Sequence, residues 1–248
     1  MKTRLALAAL LTLSAAGAGC AYNEALGRNQ LLLTDNAALT TQATAAWNEM
    51  LRTQTVSTDR AQLERVRRVG GRLVQAAGLA NRTWDYAVFV ETSPNAFVLP
   101  SGHIGVTTGL LNLVKNDDQL AAVIGHEIGH VVASHAAERQ SSQALTGLGL
   151  QVASGVAGSR GQQVGQWGGL AAQFGLLLPY SRQHELEADR LGVDYMASAG
   201  WKPSEAVALW RLMSSQRQSQ LPQIASTHPS DQTRIDALNA YIAQRYPG

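Results

Sequence analysis

Between Leu120 and Val132 the chain is apolar almost without interruption, with Leu120, Ala121, Val123, Ile124, Ile128, Val131 and Val132 recurring at helical spacing. Asp117 and Asp118 supply a capping signal and negative charge ahead of that run, so a helix is predicted there, apolar enough to bury on most sides. A second periodic segment, Leu63, Val66, Val69 and Leu73, is interleaved with Arg60, Arg65, Arg67, Arg68 and Arg72. It predicts an amphipathic helix over 58–77 with a solvated basic face, ending near Gly78. Residues 84–91, 96–99 and 104–107 are rich in aromatic and β-branched side chains and predict three short strands, the last two joined by a turn at Pro100-Ser101-Gly102. Further helices are expected at about 37–52, 183–198, 203–219 and 231–245, with Pro203 suited to a first helical turn. The expected class is α+β, mainly α, with a small β-sheet beside the long apolar helix.

Composition and charge narrow the picture. Residues 140–179 carry a single charged side chain, Arg160, among Gly, Ala, Leu, Gln and Ser. Two apolar helical stretches fit there, 144–157 and 167–178, neither reaching the about 20 residues that a membrane span needs. A buried helical hairpin is expected, and its glycines suggest a flexible lid. The formal net charge is +2 and no aromatic residues interleave with the basic ones, which argues against a nucleic-acid partner. At the N-terminus, Lys2 and Arg4 precede an apolar stretch from Leu5 to Leu13 and small residues from Ser14 to Gly19, the pattern of a secretory signal over 1–19. Cys20 is the sole cysteine, so no intramolecular disulfide can form. The segment resembles a bacterial lipoprotein signal with Cys20 as the acylated residue, although Gly17 stands where a large aliphatic residue is usual. Ala21 in place of Asp resembles lipoproteins of the outer membrane; ordinary signal cleavage is the alternative. Residues 20–55 are then expected to form a lipid-anchored tether and first helix, and 56–248 one domain.

Within the apolar helix lies His126-Glu127-Ile128-Gly129-His130. Two histidines four apart project from one helical face, and Glu127 lies about 100° round from His126, able to reach a metal-activated water without ligating the metal. With six His and nine Glu in the chain, a random shuffle yields about 0.005 matches to HExxH, so coincidence is a weak competitor. Polar groups inside a buried helix also need partners, which a metal ion supplies. A third protein ligand is required. His135 lies about 140° from His130 if the helix continues, and points elsewhere; Ala136 occupies the place where a metzincin has its third histidine. Downstream, Glu185 and Asp189 share a helical face, so that Glu185 can ligate while Asp189 accepts a hydrogen bond from a ligand histidine. His184 and Glu187 are rivals for the ligand role.

The pair HEIGH and Ser181-Arg182-Gln183-His184-Glu185-Leu186-Glu187-Ala188-Asp189 resembles the gluzincin metallopeptidases that include the type 1 CAAX prenyl proteases, the Oma-type proteases and the periplasmic β-barrel assembly-enhancing protease. Asn95 to Thr107 resembles that family's strand-turn-strand segment, with Ser101-Gly102 where Gly-Gly is common, and Ser226-Thr227-His228-Pro229-Ser230 resembles its HP segment. Four motifs in order span roughly 60–245. The resemblance implies a zincin-like fold and one Zn2+ per chain held by His126, His130 and Glu185, with Asp189 behind a ligand. It also implies peptide-bond hydrolysis with Glu127 as general base. His228 is then an oxyanion donor, or it completes the metal shell in a latent state; a plain loop histidine is the bland alternative. The edge segment Asn95, Ala96, Phe97 and Val98 is either a structural hairpin or the strand on which an extended peptide substrate adds. The implied protein is a periplasmic, outer-membrane-anchored endopeptidase of envelope quality control acting on protein substrates. A zinc-containing chaperone without proteolysis, or a purely structural zinc site, are the competing readings.

Overall fold

The computed structural model describes residues 19–154, 181–215, 228 and 232–247. The signal segment through residue 18, the interval 155–180 that holds the rest of the expected lid, and all of Ser226–Ser230 except His228 lie outside those residues. In chain order the elements are strands β1 (Cys20–Asn23) and β2 (Arg28–Leu31), helices α1 (Asn36–Thr53) and α2 (Arg60–Ala76), and strands β3 (Asp85–Phe89), β4 (Ala96–Leu99) and β5 (His103–Thr107). Helices α3 (Thr108–Leu113), α4 (Asp117–Val132), α5 (His135–Ser154), α6 (Arg182–Ser198), α7 (Ser204–Ser215) and α8 (Gln232–Arg245) follow.

The sheet order is β3-β5-β4, with β3 and β5 parallel and β4 antiparallel to β5, which puts β4 at an edge. Alternation along each strand sends side chains to two faces, and both are covered. One face carries Val88, Ala96, Val98, Ile104 and Val106 into the main core, which α2, α4, α6, α7 and α8 complete. The other carries Ala87, Phe89, Phe97 and Leu99 against α1, where the Trp47 ring meets Phe89 edge-on at 5.9 Å and stacks on His103 at 4.8 Å. The turn between β4 and β5 explains the one departure in its motif. Gly102 has φ +90, and a Cβ there would sit 2.6 Å from the Thr83 carbonyl oxygen, so glycine is needed at 102 alone. Ser101 is tolerated and its hydroxyl lies 2.7 Å from His103 Nδ1.

Helix α4 runs through the middle of the molecule and is buried along nearly its whole length. Leu120, Ile124 and Ile128 are fully enclosed, each contributing about 1.5–3 kcal/mol by leaving water. Its cap is Asn116, not an aspartate: Asn116 Oδ1 accepts from Gln119 N at 2.8 Å. Asp117 and Asp118 sit in the first turn, Asp117 bound by Arg65 and Arg68 of α2 and Asp118 accepting from Lys202 N. The basic face of α2 is thus partly engaged, and Arg72 also lies over the Trp201 ring at 4.2 Å.

The part of the expected tether that precedes the first helix has secondary structure of its own. Residues 20–31 form an antiparallel hairpin with Gly27 at φ 66 in its turn. Its side chains hold it to the C-terminal end of α4, where Asn23 Nδ2 donates to the Val132 carbonyl and the buried Gln30 Nε2 to that of Ala133, at 3.2 and 2.7 Å. These carbonyls have no partner within the helix, which is why the hairpin can dock there. The polar composition that suggested slack chain is the material of this attachment. No helix among the described residues is long and apolar enough to cross a membrane.

Candidate metal centre

Helices α4 and α6 touch backbone to backbone. A Cβ on Gly129 would lie 2.8 Å from the Ala188 carbonyl oxygen, and one on Gly192 would lie 2.8 Å from the His126 nitrogen. Only glycine permits that approach, and it brings the two helices' functional side chains to a common point. His126, His130, Glu185 and His228 each turn a ligand atom into a buried group whose atoms lie within 4.8 Å of one another. His126 Nε2 is 3.1 Å from both His130 Nε2 and His228 Nδ1; Glu185 Oε1 is 3.3 Å from His130 Nε2 and 3.0 Å from His228 Nδ1. Where sequence reasoning counted three donors, the structure gathers four. The rivals His184 and Glu187 lie elsewhere, His184 stacked on His135 at 4.3 Å and Glu187 bonded to His135 at 2.9 Å.

Behind the donors stands a second layer. His126 Nδ1 donates to Asp189 Oδ1 at 2.9 Å, which fixes that proton and turns Nε2 toward the donor group. Arg234 of α8, absent from the expectations above, grips both Asp189 oxygens at 2.7 and 2.8 Å and reaches Glu185 Oε2 at 2.5 Å, with its guanidinium 4.2 Å over the Trp210 ring. A signal for it existed: Arg234, Leu238 and Ile242 recur every four residues on the buried stripe of α8, and an arginine on such a stripe demands a buried anion. His135 backs the other ligand. Helix α4 ends at Val132 and the chain reverses through Ser134, whose φ is 52, so His135 opens a new helix and its Nδ1 comes to 2.9 Å from His130 Nδ1. It stays outside the donor group, as expected, although the break at Ser134 and not the rotation of one continuous helix sets its direction.

The electrostatics test whether a cation fits. Glu127, Glu185, Asp189 and Arg234 are each no more than 5% exposed. Ionised, Glu185 and Asp189 against the one guanidinium of Arg234 leave a net negative charge in a dry interior, which a cation at the donor group would balance. Burial strongly disfavours charge on His126, yet hydrogen bonds to Asp189 and Glu185 and their negative charge outweigh it and lift its pKa to about 9. His130, where burial dominates, falls well below the ordinary histidine value, as a neutral ligand requires. Burial alone would raise Glu185, but proximity to His228 and Arg234 and the His126 contact hold it well below the usual range. Glu127 goes the other way, raised chiefly by burial. Its Oε1 has no hydrogen bond and lies 3.3 Å from His228 Nε2. Imidazole and carboxylate donors of this kind, with converging nitrogen lone pairs, suit Zn2+.

The predicted edge segment is not part of this cluster. Ala96, Phe97 and Val98 are buried in β4, which packs on α4, with the Phe97 ring lying over Gly105; the Asn95 nitrogen is bonded to Thr107 Oγ1 at 2.9 Å. Cys20 is exposed at the start of β1.

A small mixed sheet beside a helix bearing HExxH, with a carboxylate donor from a second helix and a glutamate that stays outside the donor set, defines the zincin class of metallopeptidase. The model of peptidase family M48 matches residues 60–242, and the chain belongs to that family. It is 36% identical over 182 residues to the mitochondrial metalloendopeptidase OMA1 of Schizosaccharomyces pombe, covering 72% of this chain and 52% of that protein. It is 33% identical over 213 residues to the mitochondrial metalloendopeptidase OMA1 of Bos taurus (80% of this chain, 41% of that protein). With the beta-barrel assembly-enhancing protease of Escherichia coli it shares 29% over 180 residues (69% and 37%). The chain therefore spans about half, or less, of the length of these relatives.

Proposed function

We propose that this chain is a zinc-dependent endopeptidase of the bacterial cell envelope, with His126, His130 and Glu185 as the permanent ligands, Glu127 as the general base and Asp189 as the residue that orients His126. The observation that carries the reading is Glu127: a wholly buried carboxylate with one oxygen lacking a hydrogen bond, set beside four donors without being one of them. A site with a merely structural role has no use for it. When bound, the cation supplies Lewis acidity, making a water a better acid and a peptide carbonyl a better electrophile. Glu127, its pKa raised by burial, takes a proton from that water at Oε1 and returns it to the departing amine. Asp189 keeps the His126 proton on Nδ1, and Arg234 offsets the charge of Asp189 and Glu185. The substrate lies extended along the edge of β4 at Asn95, Ala96, Phe97 and Val98, bonded through main chain, since β4 pairs on one side only with β5.

His228 is the fourth donor of a resting site, and it yields its place to let water and substrate in. Replacing His228 with Ala then raises turnover of an unfolded substrate, whereas an oxyanion-donor role lowers it. The envelope location rests on the pattern of residues 1–19 and on Cys20 as an acylated anchor, with misfolded envelope proteins as substrates; the name of the Escherichia coli relative accords with that setting and the names of the mitochondrial relatives do not. Mass analysis of the mature N-terminus tests the anchor.

The decisive assay is cleavage of casein by the zinc-loaded chain against Glu127→Gln. Loss of about 10²–10⁴-fold in turnover with zinc content unchanged is expected, the share that a general base contributes. The four-donor arrangement favours one other reading, a zinc-containing chaperone or assembly factor for outer-membrane proteins. Equal inactivity of both proteins with binding of unfolded substrate retained would establish it.

A further inference from the structure

The β1–β2 hairpin does more than cap α4. Arg28 stands between two carboxylates: its Nε and Nη2 donate to Glu187 Oε1 and Oε2 at 2.7 and 2.8 Å, and its Nη1 and Nη2 to Glu138 Oε1 and Oε2 at 2.7 and 2.9 Å. Glu187 Oε2 in turn faces His135 Nε2 at 2.9 Å, and His135 Nδ1 faces His130 Nδ1 at 2.9 Å. The proton positions follow from what each atom can do. An ionised carboxylate only accepts, so His135 carries its proton on Nε2 and its Nδ1 is a bare lone pair. His130 must therefore donate from Nδ1. Its Nε2, 3.1 Å from His126 Nε2 and 3.3 Å from Glu185 Oε1, is left with a lone pair turned toward the donor set.

We propose that Arg28 is a positioning residue of the metal centre: by orienting Glu187 it fixes, through His135, the ring angle and tautomer of the ligand His130. The usual carboxylate–histidine–metal arrangement here has a second imidazole inserted, and an arginine from the N-terminal hairpin behind it. A different use of the same cluster can be weighed. His135, Glu138 and His184 turn ligand atoms within 4.8 Å of one another, as a second cation site would. Both Glu138 oxygens are already taken by Arg28, with Gln30 Nε2 also on Oε2 at 2.6 Å, so the guanidinium stands where a cation's charge would be. The cluster serves the first site instead.

This inference rests on the zinc reading of the centre but not on peptidase activity. Zinc affinity of the whole chain is measured by competition with a chromogenic chelator for the wild type, Arg28→Ala, Arg28→Lys, His135→Ala and the Arg28→Ala/His135→Ala double variant. The two alanine variants are each expected to bind zinc about tenfold more weakly or worse, the double variant no more weakly than the worse single one, and lysine to restore only part. Nitrogen-15 spectra of the zinc-loaded wild type are expected to show His135 protonated on Nε2. Affinities within twofold of wild type in both alanine variants, additive losses in the double variant, or a His135 proton on Nδ1 would each overturn the proposal. If Arg28→Ala does not fold, the His135 tautomer in the wild type decides alone. A wild type that binds no zinc removes the metal reading altogether, whereas a zinc-binding wild type with indifferent variants removes only the role of Arg28.

Discussion

His126 and His130 sit one turn apart on the same helix, yet they are held from opposite ends of the chain by different chemistry. Behind His126 stand Asp189 and Arg234, both within the core and supplied by α6 and α8. Behind His130 stand His135, Glu187 and Arg28, the last with a side chain 23% exposed and supplied by the N-terminal hairpin. The first backing is a set of desolvated charges that must all be present at once. The second is a chain of hydrogen bonds ending near water. The contrast teaches that one ligand is secured from within the core and the other through a hairpin at its margin, and it predicts that the hairpin loosens before the domain unfolds.

The largest effect expected is at Arg234. Arg234→Ala strands Asp189 and Glu185 without their cation and should lower stability of the metal-free protein by about 3–5 kcal/mol in urea unfolding, with lysine a poor substitute for the bidentate grip. A loss no greater than that of Arg28→Ala would erase the distinction between the two backings. Next is Gly129→Ala, which presses on the Ala188 carbonyl and moves α6 away from both ligands at once. It should cost about 1–3 kcal/mol and weaken zinc binding, read by denaturation and chelator competition.

The pH dependence separates the two sides further. Burial would raise the Glu138 carboxyl, but its hydrogen bonds to Arg28 and Gln30 win and hold it below the ordinary value. Its contribution to hairpin attachment is therefore complete above about pH 4.3 and lost as the pH falls through the lowered pKa. Hydrogen-exchange protection of residues 20–31 should drop as the pH falls below about 4.3 while that of α4 persists; simultaneous loss in both would show that the hairpin and core open as one unit. The smallest effect is at Ser134, whose left-handed backbone a glycine adopts freely. Relief of strain and the greater freedom of the unfolded chain nearly cancel, so Ser134→Gly should stay within about 0.5 kcal/mol of wild type by thermal unfolding.

Helices α1, α2, α4, α6, α7 and α8, strands β3 to β5, and the convergence of His126, His130 and Glu185 were legible because each is written in local spacing: a buried apolar run, alternation, and residues four apart on one face. What could not be read were the pairings between distant segments. Arg28 looks like any residue of a polar stretch, and nothing near it in the chain announces Glu187. His135 was rightly left out of the donor group, but its place behind His130 was hidden because one left-handed residue at Ser134 ends a helix that periodicity alone would continue. Arg234 was readable in principle from its place on the apolar stripe of α8, yet its partners come from α6. His228 was flagged by its motif, but that it would stand among the donors depended on the fold.

One consequence follows from the way β4 is enclosed. Ala96 and Val98 are committed to the main core and Phe97 and Leu99 to the layer beneath α1, so the strand has no side chain left to present. All that this rim can offer a visiting polypeptide is amide and carbonyl. On the proposed reading of this edge, such a surface would discriminate by shape of the backbone and be blind to the letters it carries: a segment that can straighten would be admitted, and one locked into helix or compact structure turned away. Selectivity of that sort would fit the proposed action on unravelled chains.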